Sequence, residues 1–199
     1  MPTPADLLDR ELRRDGARPF LTAYDGEGGR VELSVVTTAN WVAKTAGYLE
    51  DDVGIEPGEP VTVAPALHWL TAVVLLAAWS VGAEVVLDGS RPAQDIAVPL
   101  DTMGMAYSRL VAAYPDRYVP SSPSGADAVA AAPHLPERLR VLTALPLDRA
   151  GIGVGLLGPL AAGGSVVYVA CGPAYDAIAR DEHVTHTAGI DLAGLARLA

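Results

Sequence analysis

The sequence predicts an α/β protein, in which a layered sheet with flanking helices is built from strand–helix–strand (βαβ) units. One observation is a long uncharged stretch from Val61 that proline and glycine divide into strand, helix and strand. A second is that similar punctuation returns 81 positions later, where Gly163 corresponds to Gly82. Each unit carries a Val-rich second strand after its glycine break, which is typical of a parallel sheet.

The first of these stretches, residues 61–88, also raises the possibility of a transmembrane helix, because positions 61–83 hold no Lys, Arg, Asp or Glu. Pro60 and Pro65 bracket a short β-branched segment, and Gly82 separates the helical part from a second one at 85–87. The helix that remains has roughly 15 residues, which is short for a bilayer. These proline and glycine breaks favour a buried helix between a sheet and other helices.

Composition restricts the function classes. Half of the 199 residues are hydrophobic and 19% are charged, which is enough apolar material for a large core. The formal charge of -10 disfavours nucleic acid and anionic membrane surfaces as partners. A lone cysteine, Cys171, and an N-terminus without an apolar signal core predict a cytoplasmic protein.

Start and stop signals place the first elements before the 61–88 stretch. Thr3, Pro4 and Asp6 begin a helix that Gly16 ends. The elements predicted next are a hairpin of strands 20–24 and 31–33 and a helix over 34–49.

The middle of the chain has weaker patterns. Residues 95–100 predict a short strand, and Asp101 is a candidate cap for a helix that reaches 113. The proline-rich segment 114–136 predicts a loop or linker with at most a short Ala-rich turn. We expect one α/β domain over 1–199, in which this linker joins two βαβ halves of about 1–113 and 137–199.

The last part of the chain repeats the βαβ pattern and then changes. Strands are predicted at 141–145 and 166–169, with an apolar, glycine-rich helix over 152–160 between them. A helix over 175–183 and a strand over 184–187 follow. Asp191 is a candidate cap for a final amphipathic stretch that carries Leu192, Leu195 and Leu198.

Several segments together resemble the N-terminal part of the adenylate-forming superfamily, which includes the acyl-CoA synthetases. They are Gly-Ile-Glu-Pro-Gly-Glu-Pro-Val at 54–61, the helix–glycine–strand unit at 68–88, Leu-Pro-Leu at 145–147 with the glycine-containing helix at 155–164, and Glu-His-Val-Thr at 182–185. Their order strengthens the match, which is nearest to short actinobacterial proteins of this kind. The resemblance implies a fold like a truncated N-terminal domain of acyl-CoA synthetases.

Departures from that family concern its catalytic motifs. Its phosphate loop is a Ser/Thr/Gly-rich run that ends in Pro-Lys, and a counterpart is expected between residues 100 and 145. The nearest candidate lacks both lysine and threonine and contains Ser121, Ser122, Ser124 and Gly125. It is either a degenerate phosphate loop or a plain linker. Without that cation, the pyrophosphate released by adenylation would lose its electrostatic stabilisation. The family's adenine, ribose and catalytic-lysine motifs would fall beyond residue 199, so no catalytic residue is assigned.

The segment after the strand at 141–145 holds the other candidate ligand-binding residues. Asp148 and Arg149 stand where the family has an aromatic–His pair, close to the strand end where α/β folds place ligands. Beyond them, Gly153, Gly155 and Gly158 satisfy Gly-x-Gly-x-x-Gly, and Gly151 precedes them. Residues 146–150 separate this motif from its strand, so glycines that allow close helix packing are the alternative interpretation.

Other reactive residue types have structural interpretations. His183 and His186 lie at a helix end and in a strand, so they do not share a face, and we predict no metal site. His68 lies in an apolar run and is interpreted as a hydrogen-bonded core histidine, with a catalytic base as the alternative. Cys171 has no evident basic partner and is interpreted as an inert thiol.

Two functional hypotheses follow. In the first, the chain is a truncated, non-catalytic relative of AMP-binding acyl-CoA synthetases and serves as a binding or partner module. In the second, it is an α/β enzyme that binds a nucleotide or another small molecule through the glycine-rich segment 151–158. The sequence leaves the cofactor unidentified. The leucine-rich end leaves apolar surface to cover, so we expect a homodimer or a protein partner.

Overall fold

The computed structural model describes residues 1–26, 28–87, 94–96, 109–170 and 174–198. The α/β prediction is confirmed. The helices that lie wholly within these residues are α1 (Pro4–Asp15), α2 (Val35–Asp51), α3 (Trp69–Ser80), α4 (Ala126–Ala131), a π-helical turn at Gly153–Leu157 that continues into α5 (Gly158–Ala161), and α6 (Tyr175–Asp181). The strands are β1 (Pro19–Tyr24), β2 (Arg30–Ser34), β3 (Pro60–Val63), β4 (Glu84–Val86), β5 (Gln94–Ile96), β6 (Arg140–Thr143), β7 (Ser165–Val169), β8 (His186–Ala188) and β9 (Ala196–Leu198).

The described strands form two sheets. Six of them lie in the order β2-β1-β7-β6-β8-β9, and three in the order β4-β3-β5. Only the β1–β2 hairpin is antiparallel; every other described pair is parallel. Both predicted βαβ units are present, as β3–α3–β4 and as β6–helix–β7. Parallel pairing agrees with the crossover helix inside each unit.

Helix α3 is the most deeply buried of the described helices. Every residue from Leu70 to Ser80 is buried, and the helix packs against α1, α2, β1, β3 and β4. Apolar residues around the whole circumference therefore face protein on all sides. Among the described residues, no helix is both long enough and apolar enough to cross a membrane.

Local signals explain where the helices begin. The Thr3 hydroxyl accepts from the amide of Asp6, and the Asp6 carboxylate accepts from the amide of Thr3, which makes a reciprocal capping box. The Ser34 hydroxyl accepts from the amide of Thr37 at the start of α2. His68 caps α3 through its ring, because Nδ1 accepts from the amide of Leu70 at 3.1 Å.

The predictions for the middle of the chain can be compared with the structure only where its residues are described. The predicted strand 95–100 overlaps β5 (Gln94–Ile96), and its remainder lies outside the described residues. Of the helix expected over 101–113, residues 109–111 are helical, and 101–108 are not described. Segment 114–136 contains α4, a six-residue helix at the place where at most a short Ala-rich turn was expected. The hairpin β1–β2 joins the sheet of β6–β9, so the two halves of the chain share one sheet.

The prediction for residues 191–198 is wrong, because the segment does not form an amphipathic helix. Gly194 has φ +81° and leads into β9, which pairs in parallel with β8. The Arg197 guanidinium donates to both carboxylate oxygens of Asp191 at 2.8 and 2.7 Å. The three leucines pack on two separate apolar clusters instead of forming one exposed stripe. A leucine spacing of three residues suits a helix, but here a left-handed glycine ends that pattern.

A buried carboxylate joins α6 to the large sheet. Glu182, 7% exposed at its side chain, accepts from Arg30 Nε at 2.7 Å and from the Tyr24 hydroxyl at 2.6 Å, and it pairs with Arg140. Burial alone raises the pKa of Glu182, but the hydrogen bonds from Arg30, Tyr24 and Arg140 outweigh it and hold that pKa at about 2. The carboxylate is therefore charged in the folded protein at any pH well above 2.

We predict that Glu182→Gln lowers the free energy of unfolding by about 3 kcal/mol near neutral pH, because Arg140 is left buried without its carboxylate. The matched control is Glu32→Gln, which removes an exposed partner of the same Arg30 and should change stability by less than about 0.5 kcal/mol. Urea unfolding measures both. The depressed pKa means that the wild-type advantage is complete above the ordinary value of 4.5 and is lost as pH falls toward about 2. A difference between wild type and variant that stays constant over that range contradicts the assignment.

Candidate functional site

A cleft of about 480 Å³ lies along β4, the edge strand of the smaller sheet. We call it the β4–α4 cleft. Val85 lines it from the strand, Ala128 and Ala131 from α4, and Arg149 and Gly153 from the segment that enters the π-helical turn. Four of the residues selected from sequence meet here, namely Ser124, Gly125, Arg149 and Gly153. The structure therefore brings together two candidate groups that are about 25 positions apart in the chain.

The candidate phosphate loop is bound to the end of α3. The amide of Ser124 donates to the Trp79 carbonyl at 2.9 Å, and the Ser124 hydroxyl donates to the Ala83 carbonyl at 2.5 Å. Gly125 has φ +81° and lies against the Trp79 ring, where a Cβ would be 2.6 Å from Cδ1. Ser121 and Ser122 are exposed and do not line the cleft. The amide and hydroxyl of Ser124 are thus already used within the fold.

Asp148 and Arg149 have different surroundings although they are adjacent. The Asp148 carboxylate accepts from the amides of Ala150 and Gly151, each at 2.9 Å. It therefore caps the turn that enters the helix. Arg149 lines the β4–α4 cleft. Of this pair, the arginine is the residue at the candidate site and the aspartate shapes the backbone that carries it.

The glycine-rich run lies mostly in the interior. Gly151 approaches the Pro146 carbonyl so closely that a Cβ would have no room. The carbonyl of Gly155 accepts from the hydroxyl of Tyr168 at 2.9 Å, and burial raises the pKa of that hydroxyl. A Cβ at Gly158 would be 2.8 Å from the Leu135 side chain. Only Gly153 of the three motif glycines lines the cleft. These contacts are those expected of glycines that permit close packing.

Lys44 and the histidines have structural partners or lie away from the cleft. Lys44, the single lysine of the sequence, donates to the Tyr114 carbonyl at 2.6 Å and pairs with Asp116 at 3.0 Å. Burial lowers the pKa of His68, and its ring caps α3. His183 follows α6 with φ +51°, whereas His186 begins β8. No group of metal-ligating side chains was found among the described residues, which exclude Cys171.

Sequence patterns did not identify the cleft itself. It lies between α4 and β4, and the two elements are separated by about 40 positions that include a proline-rich segment. The one local signal for the position of α4 was the glycine directly before the Ala-rich turn. This glycine, Gly125, precedes α4 in a left-handed conformation. Val85, Ala128 and Ala131 carry no chemical motif of their own.

Comparisons with known proteins place this fold among acyl-CoA synthetases. An acyl-CoA synthetase from Brucella canis superposes with a TM-score of 0.71 at 17% identity, over 94% of this chain and 47% of that one. A fatty acyl-CoA synthetase from Mycobacterium tuberculosis gives 0.70 at 12% identity, over 94% and 49%. The N-terminal domain of FACL13 from Mycobacterium tuberculosis gives 0.70 at 11% identity, over 95% and 63%. The predicted likeness to N-terminal domains of acyl-CoA synthetases is therefore confirmed for the fold.

Sequence comparison reaches a shorter part of the chain. No protein-family model matches it. A protein from Mycobacterium tuberculosis (strain ATCC 25618 / H37Rv), described as a TIGR03089 family protein, is 44% identical over 95 residues, which span 45% of this chain and 39% of that protein. The chain therefore spans about half the length of the synthetases it resembles and less of this relative.

We predict that Asp148→Ala lowers the free energy of unfolding by about 1 kcal/mol, because the amides of Ala150 and Gly151 lose their acceptor. Asp148→Asn retains an oxygen at the same place and should stay within a few tenths of a kcal/mol of wild type. Thermal or urea unfolding of the two variants measures this difference. If both substitutions leave stability unchanged, the capping role is wrong.

Proposed function

We propose that this chain is a non-catalytic relative of the acyl-CoA synthetases and acts as a binding module that holds a small molecule in the β4–α4 cleft. The observation that carries the proposal is the cleft itself, at which Ser124, Gly125, Arg149 and Gly153 converge. Its volume of about 480 Å³ lies in the range of small-molecule sites. Its lining combines alanine, valine and isoleucine side chains with one cation, Arg149, and two carboxylates, Glu84 on β4 and Asp127 on α4.

The absence of adenylation is supported by how the chain uses its polar groups. Adenyl transfer requires positive charge or backbone amides at the phosphates. The single lysine is bound to Tyr114 and Asp116, and the Ser124 amide is bound to Trp79. Two amides at the next helix entrance, those of Ala150 and Gly151, are capped by Asp148. These particular groups are therefore committed to the fold.

The alternative function is that of an α/β enzyme that binds a nucleotide through residues 151–158. One observation favours it, namely that Gly153 opens onto the same cleft as Arg149. The contacts of Gly155 and Gly158 with Tyr168 and Leu135 favour a packing role for the rest of the run. Both functions use one cleft, so the ligand that it accepts decides between them.

We predict no ATP–pyrophosphate exchange above background with a panel of carboxylic acids, since the lysine and the amides of Ser124, Ala150 and Gly151 are already bonded within the fold. Clear exchange with any acid contradicts the proposal. Titration calorimetry with the same acids and with ATP, AMP, NAD and CoA then identifies the ligand class. Binding of a nucleotide supports the alternative function, and binding of an acid without exchange supports the non-catalytic module.

A matched pair of substitutions assigns the ligand to the cleft. Ala131 is exposed and lines it, whereas its neighbour Ala130 is exposed and does not. Ala131→Trp fills the cleft and should lower the affinity for the ligand by at least about tenfold. Ala130→Trp should leave that affinity unchanged. Equal affinity in both variants places the ligand elsewhere and contradicts the cleft assignment.

Assembly into a homodimer or with a protein partner also remains a proposal. The leucines of 191–198 no longer support it, because they pack on the protein's own clusters. Support comes instead from exposed apolar side chains, Val119 at 87% and Leu110 at 54%. We predict twice the chain mass by light scattering at micromolar concentration. A monodisperse monomer contradicts the homodimer. The exposed apolar side chains would then have to be covered by a different protein.

A further inference from the structure

A second cleft, of about 240 Å³, lies at the other end of the helix that begins at the β4–α4 cleft. Gly153 lines the first cleft, and Gly163 and Gly164, which follow α5, line the second. Arginine dominates this second cleft, with Arg14 and Arg18 from the end of α1 and the loop after it, and Arg138 from the segment before β6. We call it the arginine cleft.

A buried carboxylate organises the inner wall of the arginine cleft. Glu11 has no exposed side-chain surface, and its two oxygens accept from Arg10 Nε and from Arg18 Nη2, each at 3.0 Å. Arg18 also donates to the Gly164 carbonyl at 2.6 Å, and Arg10 donates to the Ala161 carbonyl at 2.8 Å. The charge of Glu11 is thus balanced by two guanidinium groups that are themselves held in place.

Two further arginines of the cleft, Arg14 and Arg138, are not needed to balance the charge of Glu11. Arg14 lies 3.9 Å from Glu11, at the limit of an ion pair, and 45% of its side chain is exposed. The guanidinium of Arg138 makes no hydrogen bond or ion pair with any part of the chain that the structure describes. Two cations therefore face one small cleft with donors to spare, on a chain whose formal charge is -10.

The backbone at this place is strained. Arg138 has φ +56°, a left-handed conformation that costs a non-glycine residue about 1 kcal/mol or more. Its amide donates to the Ala162 carbonyl at 3.1 Å, which ties the residue to the glycine turn. Glycine would suit this conformation better, so Arg138 adopts it at a conformational cost. Such strain is concentrated at binding sites.

The floor of the cleft is kept open by Gly163. It has φ +64°, and a Cβ there would be 2.9 Å from Arg14 Nη1 and 3.1 Å from Glu11 Oε2. A side chain at this position would force the Arg14 guanidinium to shift from its present place. The glycine is therefore required both by the turn and by the position of the cation.

We propose that the arginine cleft binds a small oxyanion of the phosphate class, with Arg14 and Arg138 as its ligands and the Arg10–Glu11–Arg18 group as a fixed frame. Guanidinium groups match tetrahedral oxyanions through paired N–H donors. One exposed acid, Asp15, also lines the cleft, so its lining residues hold three arginines against two carboxylates. The volume suits inorganic phosphate or the terminal phosphate of a larger molecule that extends into solvent.

The test is a calorimetric titration of the full chain with inorganic phosphate at constant ionic strength. Wild type should show saturable binding, and Arg14→Gln should weaken it by at least about tenfold. The matched control is Arg13→Gln on the same helix, since Arg13 is 69% exposed, pairs with Asp9 and does not line the cleft. Absence of saturable binding, or equal losses in the two variants, overturns the proposal.

A second substitution separates binding from folding. Arg138→Gly relieves the left-handed strain, so the variant should fold with a stability equal to or above that of wild type. Its affinity for phosphate should nevertheless fall by about tenfold. A variant that binds phosphate as wild type does overturns the role of Arg138. Titration with AMP distinguishes free phosphate from the terminal phosphate of a larger molecule. A phosphomonoester that binds as tightly as free phosphate shows that the cleft accepts a terminal phosphate.

Discussion

Helix α3 imposes the constraint on which the rest of the fold depends. A helix that is apolar on every side is stable in water only if protein covers every side. Here α1 and α2 cover it together with strands of both sheets, including β1 from the hairpin. Its C-terminal end also receives the Ser124 amide at the Trp79 carbonyl. The segment before α4 is held in place by this contact, and the β4–α4 cleft exists because that segment is held there.

Groups that look like chemical motifs in the sequence mostly serve this packing. The carboxylate of Asp148, the carbonyl of Gly155 and the hydroxyl of Ser124 each complete a backbone or side-chain hydrogen bond inside the fold. Satisfying such groups is obligatory when they are buried, since an unpaired polar group costs about 1–3 kcal/mol. A short motif of glycine, serine or aspartate therefore fits a helix entrance as well as a ligand, and only the partners of each atom separate the two roles.

Sequence reasoning succeeded where the signal was local and failed where it was not. Proline and glycine breakers around α3 were sufficient to place β3, the helix and β4, because each boundary is determined by a few adjacent residues. Leucines spaced by three gave the wrong element at 191–198, since that spacing does not reveal that Gly194 adopts φ +81°. Pairing of β1 with β7 joins residues more than 140 positions apart, and both clefts arise from contacts of this kind. No local pattern encodes them.

The two buried glutamates show how similar charge clusters can serve different ends. Around Glu182, both arginines have further partners, because Arg30 also pairs with Glu32 and Arg140 also donates to Thr22 and Ser165. That network leaves little charge for a ligand and holds α6 on the sheet. Around Glu11, the carboxylate is balanced by Arg10 and Arg18, yet Arg14 and the strained Arg138 still face the same cleft. A stabilising cluster has no need of the surplus cations, so their presence favours a site for an anion.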